Sequence, residues 1–587
     1  MITLMIAVGS AILYLIAYYT YGRWLARKIF NIDPDRITPA NQYEDGIDYV
    51  PSKREVVFGH HFTSIAGTGP IVGPAIAVIW GWLPGLIWIL VGSVMMGAVH
   101  DFGAMVISLR NRGRSIADIC GGMINRRVRA LFYVVIFFEL WIVIAIFCLV
   151  IASIFNMFPS SVFPVWCQIP IAIFVGIVAR RKGISMGFPA IIALALMYIT
   201  IYLGSKFPVL QFKFTSQSFS PIFLWSIILL TYCFIASILP VQTLLQPRDF
   251  INANQLTFML ALLFLGIVTA MPKIVAPAYN PDPHGAPPIY PFLFITIACG
   301  AISGFHSLVS SGVSSKQIKN EKDAQAIGYG GMLLEGYLAI LVLIAVAAGI
   351  GMKYVTPDGK VLAGLGAWKY HYASWGMANT LGRKVGAFVE GGANLMSSYY
   401  VPHAFGVAVL GVFVASFAGT TLDSATRLQR YILGEFGEAI RFKPLTNRYF
   451  ATAVAVLTAL MLALWDIHTP KGWNLSGCGK GGLILWPLFG AVNQLLGGLA
   501  LMVISVWLII KKKPVWITAI PMVFMVSMTG WAMLHNLRRF HEIPEERYLF
   551  WIGLAVLILE VWMIIETLLL IIEHKLGKAE EEQGAPS

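Results

Sequence analysis

The residues able to do chemistry in this sequence fall in a few short stretches, each set in apolar surroundings. Phe62 to Pro74 holds three glycines, two prolines and three hydroxyl residues in thirteen positions. Pro70 and Pro74 lack an N–H and the glycines loosen the backbone, so a continuous helix is disfavoured. An interrupted helix offers free amides to an anion and loosened carbonyls to a cation. Ser64, Gly67, Thr68 and Gly69 are the substrate-binding residues such a break supplies. The competing reading is a glycine-rich face for close helix packing. Ala301 to Gly312 adds Ser303, His306, Ser310 and Ser311. Their hydroxyls can coordinate Na⁺ or hold a carboxylate, and the imidazole can titrate near neutral pH. The plain alternative is a hydroxyl bond to the carbonyl four residues back.

Isolated acids and cations come next. Glu139 and Glu335 interrupt apolar runs, where an ionised carboxylate is costly, so each is paired or carries a proton. Glu335, followed by Gly336, is the expected ion-coupling residue, with His306 as the competing carrier. His60, His61 and Asp101, beside His100, form a weak metal-ligand set, against the reading of polar ends at an interface. Asp423 and Arg427 have i,i+4 spacing, suited to a gate or to a surface anchor. A third interruption at Leu239-Pro240 is either a kink or a capped helix end. Gly477 to Gly481 lacks the spacing of a phosphate loop. The six cysteines are scattered and read as packing residues. No cofactor is called for.

Those residues need a frame, and the composition defines it. Of 587 residues, 58% are hydrophobic and only 12% charged, against roughly 25% charged in ordinary soluble domains. Polar shells cannot be built from so few charges, which excludes nucleic-acid binders, disordered chains and secreted disulfide scaffolds. The chain reads as an all-α polytopic membrane protein. On a scale of about 20 apolar residues per crossing, spans fall at 2–22, 62–80, 82–109, 130–156, 163–179, 187–204, 222–240, 256–272, 291–312, 327–351, 386–418, 449–466, 484–510, 514–534 and 549–572. The net charge of +13 reports basic loops. The arginine-rich loop from Arg110 to Arg129 sets the cytoplasmic side, and alternation adds Arg180-Arg181-Lys182, Lys316 to Lys322, Arg427 to Lys443 and Lys511 to Lys513. The N-terminus then lies outside and the C-terminus in the cytoplasm.

The broken spans divide the chain into units. Residues 1–61 form an N-terminal span and cytoplasmic loop, 62–204 a first five-helix repeat, and 222–418 a second, inverted one. Residues 419–448 read as a cytoplasmic amphipathic segment, 449–572 as C-terminal accessory spans, and 573–587 as a disordered cytoplasmic tail. An inverted pair of units with a site at their interface is the layout of many secondary transporters.

Several strings closely resemble the carbon starvation protein A family of bacterial inner-membrane transporters. They include FGHHFTSIAGTGPIVGPAIAVIWGWLPG (58–85), GAVHDFGAMVISLRNRGRSI (97–116), LQPRDF (245–250), GAISGFHSLVSSGVSSKQI (300–318), ASFAGTTLDSATRLQRYI (415–432) and WPLFGAVNQLL (486–496). The resemblance implies uptake of short peptides or pyruvate during carbon limitation. It also implies membership of the amino acid–polyamine–cation superfamily, whose LeuT-type core is a 5+5 inverted repeat. The expectation is therefore a non-enzymatic inner-membrane symporter of about 15 helices: the core, one N-terminal span and about four C-terminal accessory spans. Its partners are a peptide or pyruvate, a coupling cation (H⁺ or Na⁺) and the bilayer, with no nucleic acid. Amides near Gly67 to Gly69 would receive the carboxylate, and Glu335 or His306 the coupling proton. Two further classes compete: a nutrient sensor without flux, and a divalent-metal carrier using His60, His61 and Asp101.

Overall fold

A backbone without water partners must satisfy its polar groups internally, so long apolar runs fold as helices. The computed structural model describes all residues except 183–186, 216, 217, 357, 470, 471, 480, 544, 545 and 584–587. Among the described residues, twelve helices are long and apolar enough to cross a membrane, and thirteen when the bent pair Arg54–Ile65 and Gly69–Trp80 counts as one span. Neither of the other two expected segments is a single helix of that length. Residues 291–312 are interrupted, and 449–466 forms the 16-residue helix Arg448–Ala463.

The elements that build the site are, in chain order, α1 (Arg54–Ile65), α2 (Gly69–Ala77), α3 (Ala98–Leu109), α4 (Arg126–Met157), α5 (Pro221–Ile238), α6 (Leu245–Ala270), α7 (Ile289–Thr296) and α8 (Gly304–Gly312). They continue with α9 (Gly331–Ala347), α10 (Leu381–Ser397), α11 (His403–Ala439), α12 (Trp486–Ile510) and α13 (Trp516–Glu542). Burial separates centre from rim. The most apolar windows of Glu321–Gly351 and of α12 are each 89% buried, against 28% for Ile2–Ile29 and Arg547–Leu569. Thus α12, grouped by sequence with the accessory spans, is among the most enclosed helices of the molecule.

The break between α1 and α2 bends the span by 42°. Pro70 sits in the first turn of α2, where its missing N–H leaves no bond unmade. The span starts at Arg54, ahead of the expected residue 62, so His60 and His61 are buried within α1 rather than lying at an interface. A second break separates α7 from α8. There Gly300 has φ +91°, and a Cβ on it would stand 2.8 Å from Ala339 Cβ, with Pro70 at 3.6 Å. The two breaks therefore meet. Gly73 backs onto Thr296 and Gly81 onto Ala278, while Ser52 bridges Ile318 at the other end, so the two broken spans run antiparallel.

One open alternative is decided and three sequence expectations need correction. The interruption at Pro240 is the capped end of α5: the Arg427 guanidinium donates to the carbonyls of Ala236 (3.0 Å) and Leu239, which the helix end leaves without amide partners. The single span expected at 386–418 is two helices. Tyr400 has φ +68°, and Pro402, which disfavours a helical residue before it, begins α11 as a new helix. α10 lies across the ends of other helices instead of crossing. Its Asn394 amide donates to the carbonyls of Gly349 (3.0 Å) and Lys353 (2.6 Å), and Ser398, just after it, meets Thr269 at 2.6 Å. α11 runs unbroken past 419 to Ala439, so the boundary drawn there falls inside a helix. Similarly, Arg547–Gln583 is helical, so the tail drawn from 573 is helix as far as 583; residues 584–587 and the side chains of 180–182 lie outside what is described.

Candidate functional site

Where the breaks meet, a fully buried ionic quartet forms. His306, in the first turn of α8, stands between two carboxylates: Nδ1 is 3.1 Å from Asp101 Oδ2 and Nε2 is 3.3 Å from Glu335 Oε2. Asp101, on α3, also meets His100 Nδ1 at 2.8 Å. All four side chains are enclosed. A doubly protonated His306 ring can face both acids as a donor, and loss of either ring proton leaves one acid facing a lone pair. The contact to Glu335 has ion-pair distance without hydrogen-bond alignment: both Glu335 oxygens and His306 Nε2 lack a hydrogen-bond partner. Cys299, from the break, joins His306 and Glu335 in a group whose ligand atoms all lie within 4.8 Å of one another. This is the metal-ligand spacing found among the described residues, and it differs from the set expected from sequence.

Cys299 also borders a cavity of about 110 Å³ between α2, α7 and α12. Thr68, Gly69, Thr296 and Phe147 line its inner part, and Trp375, His535 and Arg539 line it toward the face crossed by α10. Among the described residues, the amides of Gly67, Thr68 and Gly69 have no hydrogen-bond acceptor. They form the open start of α2, a place that favours an anion. A Cβ on Gly69 would collide with the Cys299 side chain, and one on Gly67 with Thr421.

Of the eight substrate-binding candidates, Thr68 and Gly69 line this cavity. Gly67 packs against Thr421 and Phe147. The Ser64 hydroxyl contacts the His60 carbonyl at 2.7 Å and Ser424 Oγ at 2.8 Å. Ser303 bonds Asn493, and Ser311 donates to the Ser307 carbonyl at 2.7 Å, the plain reading for a helical hydroxyl. The Ser310 hydroxyl is buried without a partner. His306 and Glu335, the coupling candidates, are brought together.

The weak metal set is not assembled. His60 Nδ1 meets Asp249 Oδ2 at 2.5 Å, His61 Nδ1 meets Ser314 Oγ at 2.9 Å, and Asp101 belongs to the quartet. Adjacent residues on a helix point about 100° apart, so the histidine pair cannot converge. Nor do Asp423 and Arg427 pair with each other, though both are buried. Asp423 accepts from the Arg248 guanidinium and from Tyr232 at 3.0 Å, and Arg248 also holds Asp249 at 2.8 Å. Arg427 donates to Asp48 at 2.8 Å.

Asp48 lies in the loop before α1, at the face gathering Arg110, Lys316 and Arg430. It accepts from Arg427, from Arg430 at 2.9 Å and from Tyr431 at 2.7 Å. Burial alone would raise its pKa, but Arg430, Arg427 and Lys316 outweigh this and hold it at about 2. The loop is pinned further by amides of Val50 and Ser52 bonded to the Lys316 and Gln317 carbonyls.

Sequence reasoning missed several participants. Asn493 of α12 accepts from the Phe305 amide at 2.9 Å and exchanges bonds with Ser303, which caps α8 from a distant helix. Its signal was a polar residue inside the apolar run Gly490 to Leu496. Cys299, read as packing, borders both cavity and quartet.

The sequence model of the family described as Carbon starvation protein CstA matches residues 2–532. This chain belongs to that family. Its relatives include the Peptide transporter CstA of Campylobacter jejuni, 34% identical over 92% of this chain and 80% of that protein. The Pyruvate/proton symporter BtsT of Escherichia coli is 34% identical over 94% of this chain and 83% of its own length. The Peptide transporter CstA of Mycobacterium tuberculosis is 35% identical over 89% of this chain and 74% of its own. Among solved structures, MhsT in complex with L-phenylalanine aligns with 82% of this chain at a TM-score of 0.47 and 11% identity. This family member is a multi-pass helical membrane protein.

Proposed function

We propose that this protein is a secondary transporter importing a small carboxylated nutrient, pyruvate or a short peptide, across a bacterial inner membrane, driven by H⁺. One observation carries the reading: Cys299 borders both the cavity at the helix break and the Glu335–His306 pair. A substrate carboxylate at the open start of α2 would thus be one side chain away from the groups that take and release the proton. Two relatives named for peptide and for pyruvate/proton transport support the substrate class. Pockets for larger ligands run to roughly 300–1,000 Å³, so a cavity of about 110 Å³ favours pyruvate over a peptide in this conformation.

The antiparallel broken spans support an inverted-repeat core whose second unit opens at α7, where the facing break lies, rather than at 222. Alternating access then moves one unit against the other. The cavity extends toward the face crossed by α10, while Asp48 ties the opposite, basic face. With basic loops inside, that arrangement is outward-open, with the N-terminus outside and the C-terminus in the cytoplasm.

A second reading rests on the Cys299–His306–Glu335 spacing, which would suit a divalent cation such as Zn²⁺. One assay separates the two: purified protein in liposomes, with labelled pyruvate, a labelled dipeptide or Zn²⁺ outside, and a pH or a Na⁺ gradient imposed. Pyruvate accumulation that follows the pH gradient is the expected result. A protein that moves none of the carboxylates would contradict the transport reading, and a Na⁺-driven flux would contradict the proton.

A further inference from the structure

We propose that α10, the residues just before it, and α13 build a carboxylate-binding station at the mouth of the cavity, before the helix break is reached. The inference deepens the transport reading and rests on it for the identity of the ligand, though not for the binding itself.

Lys384, on α10, is 3% exposed. Its ammonium donates to Asn379 Oδ1 at 3.0 Å and stands 4.5 Å over the ring of Trp486. Asn379 and Trp486 both line the cavity. The neighbouring acids are engaged elsewhere: Glu390 with His403 at 3.2 Å, and Glu546 with Arg539 at 2.9 Å. Among the described residues no carboxylate lies within ion-pair distance of Lys384. With only one amide oxygen and a ring face beside it, burial pushes the Lys384 pKa down to about 7, and an incoming anion favours the charged ammonium that pairs with it.

A second, independent group points the same way. Asn536, on α13, lines the cavity and is 2% exposed, yet its Nδ2 has no acceptor. Buried amide donors are rarely left unpaired in folded proteins, and an orphan facing a cavity marks a place for a ligand acceptor. Asn536 lines the cavity directly and Lys384 stands one residue behind its wall, against Asn379 and Trp486, while Trp486 and Phe292 supply apolar lining. A monocarboxylate with a short apolar body matches this lining, whereas a neutral isostere leaves the ammonium uncompensated. Selectivity of this kind is steep, because a site built around buried polar groups rejects the analogue that cannot pair them. α10 and α13, which take no part in the break, thereby acquire a role in choosing what reaches it.

The test measures binding and flux separately on the full-length protein. Binding of labelled pyruvate to purified protein is followed by scintillation proximity, with unlabelled pyruvamide as neutral competitor, and uptake is followed in liposomes. Lys384→Gln should weaken pyruvate binding by roughly ten- to hundredfold, as for loss of a charge-assisted bond. Lys384→Arg, which keeps a charge in a bulkier group, should bind pyruvate more tightly than Lys384→Gln. Asn536→Leu should weaken binding by about tenfold, and pyruvamide should fail to displace pyruvate from the wild type. Wild-type affinity in both Lys384→Gln and Asn536→Leu, or displacement by pyruvamide, would overturn the station. Should Lys384→Gln not fold, Asn536→Leu and the competition decide. Lys384-dependent binding without any uptake by the wild type would sink the transport reading while leaving the station in place. Uptake with unaltered half-saturation in Lys384→Gln would do the reverse.

Discussion

Beside the cavity, His306 stands between Asp101 and Glu335 with polar atoms to spare; at the basic face, Asp48 is held by two guanidinium groups and a phenol. The first is fully buried and the second only partly, with the Asp48 side chain 20% exposed, and both join segments hundreds of residues apart. They differ in how completely they are paired. Neither Glu335 oxygen has a hydrogen bond and His306 Nε2 has none, whereas Asp48 accepts from Arg427, Arg430 and Tyr431 together. A completed network resists change, since removing one partner leaves a buried charge exposed to full desolvation cost. An incomplete one can exchange a proton or a partner at little cost. The contrast supports the proposal that the basic face holds the structure while the groups beside the cavity couple the proton.

The largest expected effect breaks the cavity side. Gly69→Leu places side-chain atoms where Cys299 already sits, so the two breaks cannot meet. Uptake should fall by about a hundredfold or more, as for a misplaced reacting geometry, while the protein still inserts. Normal uptake would show that the break is not where substrate binds.

Asp48→Asn sharpens the other side. The carboxyl is held at about 2, below its ordinary value of roughly 3.9. A depressed pKa gives stability present above the unfolded value and lost as pH falls through the folded one. The contribution is on the order of 2 kcal/mol and should be constant from pH 8 to pH 5. Thermal unfolding in detergent should show a variant less stable by the same margin across that range. A margin that shrinks between pH 8 and 5 would mean Asp48 titrates there, which would erase the contrast with the quartet.

The smallest effect is at the cap. Asn493→Ala frees the Phe305 amide and Ser303, costing about 1–3 kcal/mol for buried groups left unpaired. Lower stability with uptake still driven by the pH gradient is expected. Loss of the pH dependence itself would move Asn493 into the coupling assembly.

Much of this was legible in the chain. A proline–glycine cluster inside an apolar run announces a broken helix, and Glu335 and His306 stand out because an ionisable residue in such a run needs a reason. Their mutual contact was not legible, nor was Asp101 beside them, because partners on α3, α8 and α9 are fixed only by packing. Hydropathy also averages over neighbours: α10 and the start of α11 merged into one apolar span, although Tyr400 and Pro402 carry the turn. The i,i+4 spacing of Asp423 and Arg427 predicted a pair, yet Arg248 and Asp48, distant in sequence, take both. Lys384 gave no signal beyond one lysine in an amphipathic helix.

The central claim is that the Glu335–His306 pair carries the coupling proton, and Glu335→Gln in liposomes tests it most directly, with His306→Gln as control. Glutamine mimics the protonated acid, so exchange of labelled pyruvate across the membrane should persist while accumulation driven by a pH gradient is lost. If the Glu335→Gln protein still concentrates pyruvate with wild-type pH dependence, the coupling role assigned to this pair is wrong.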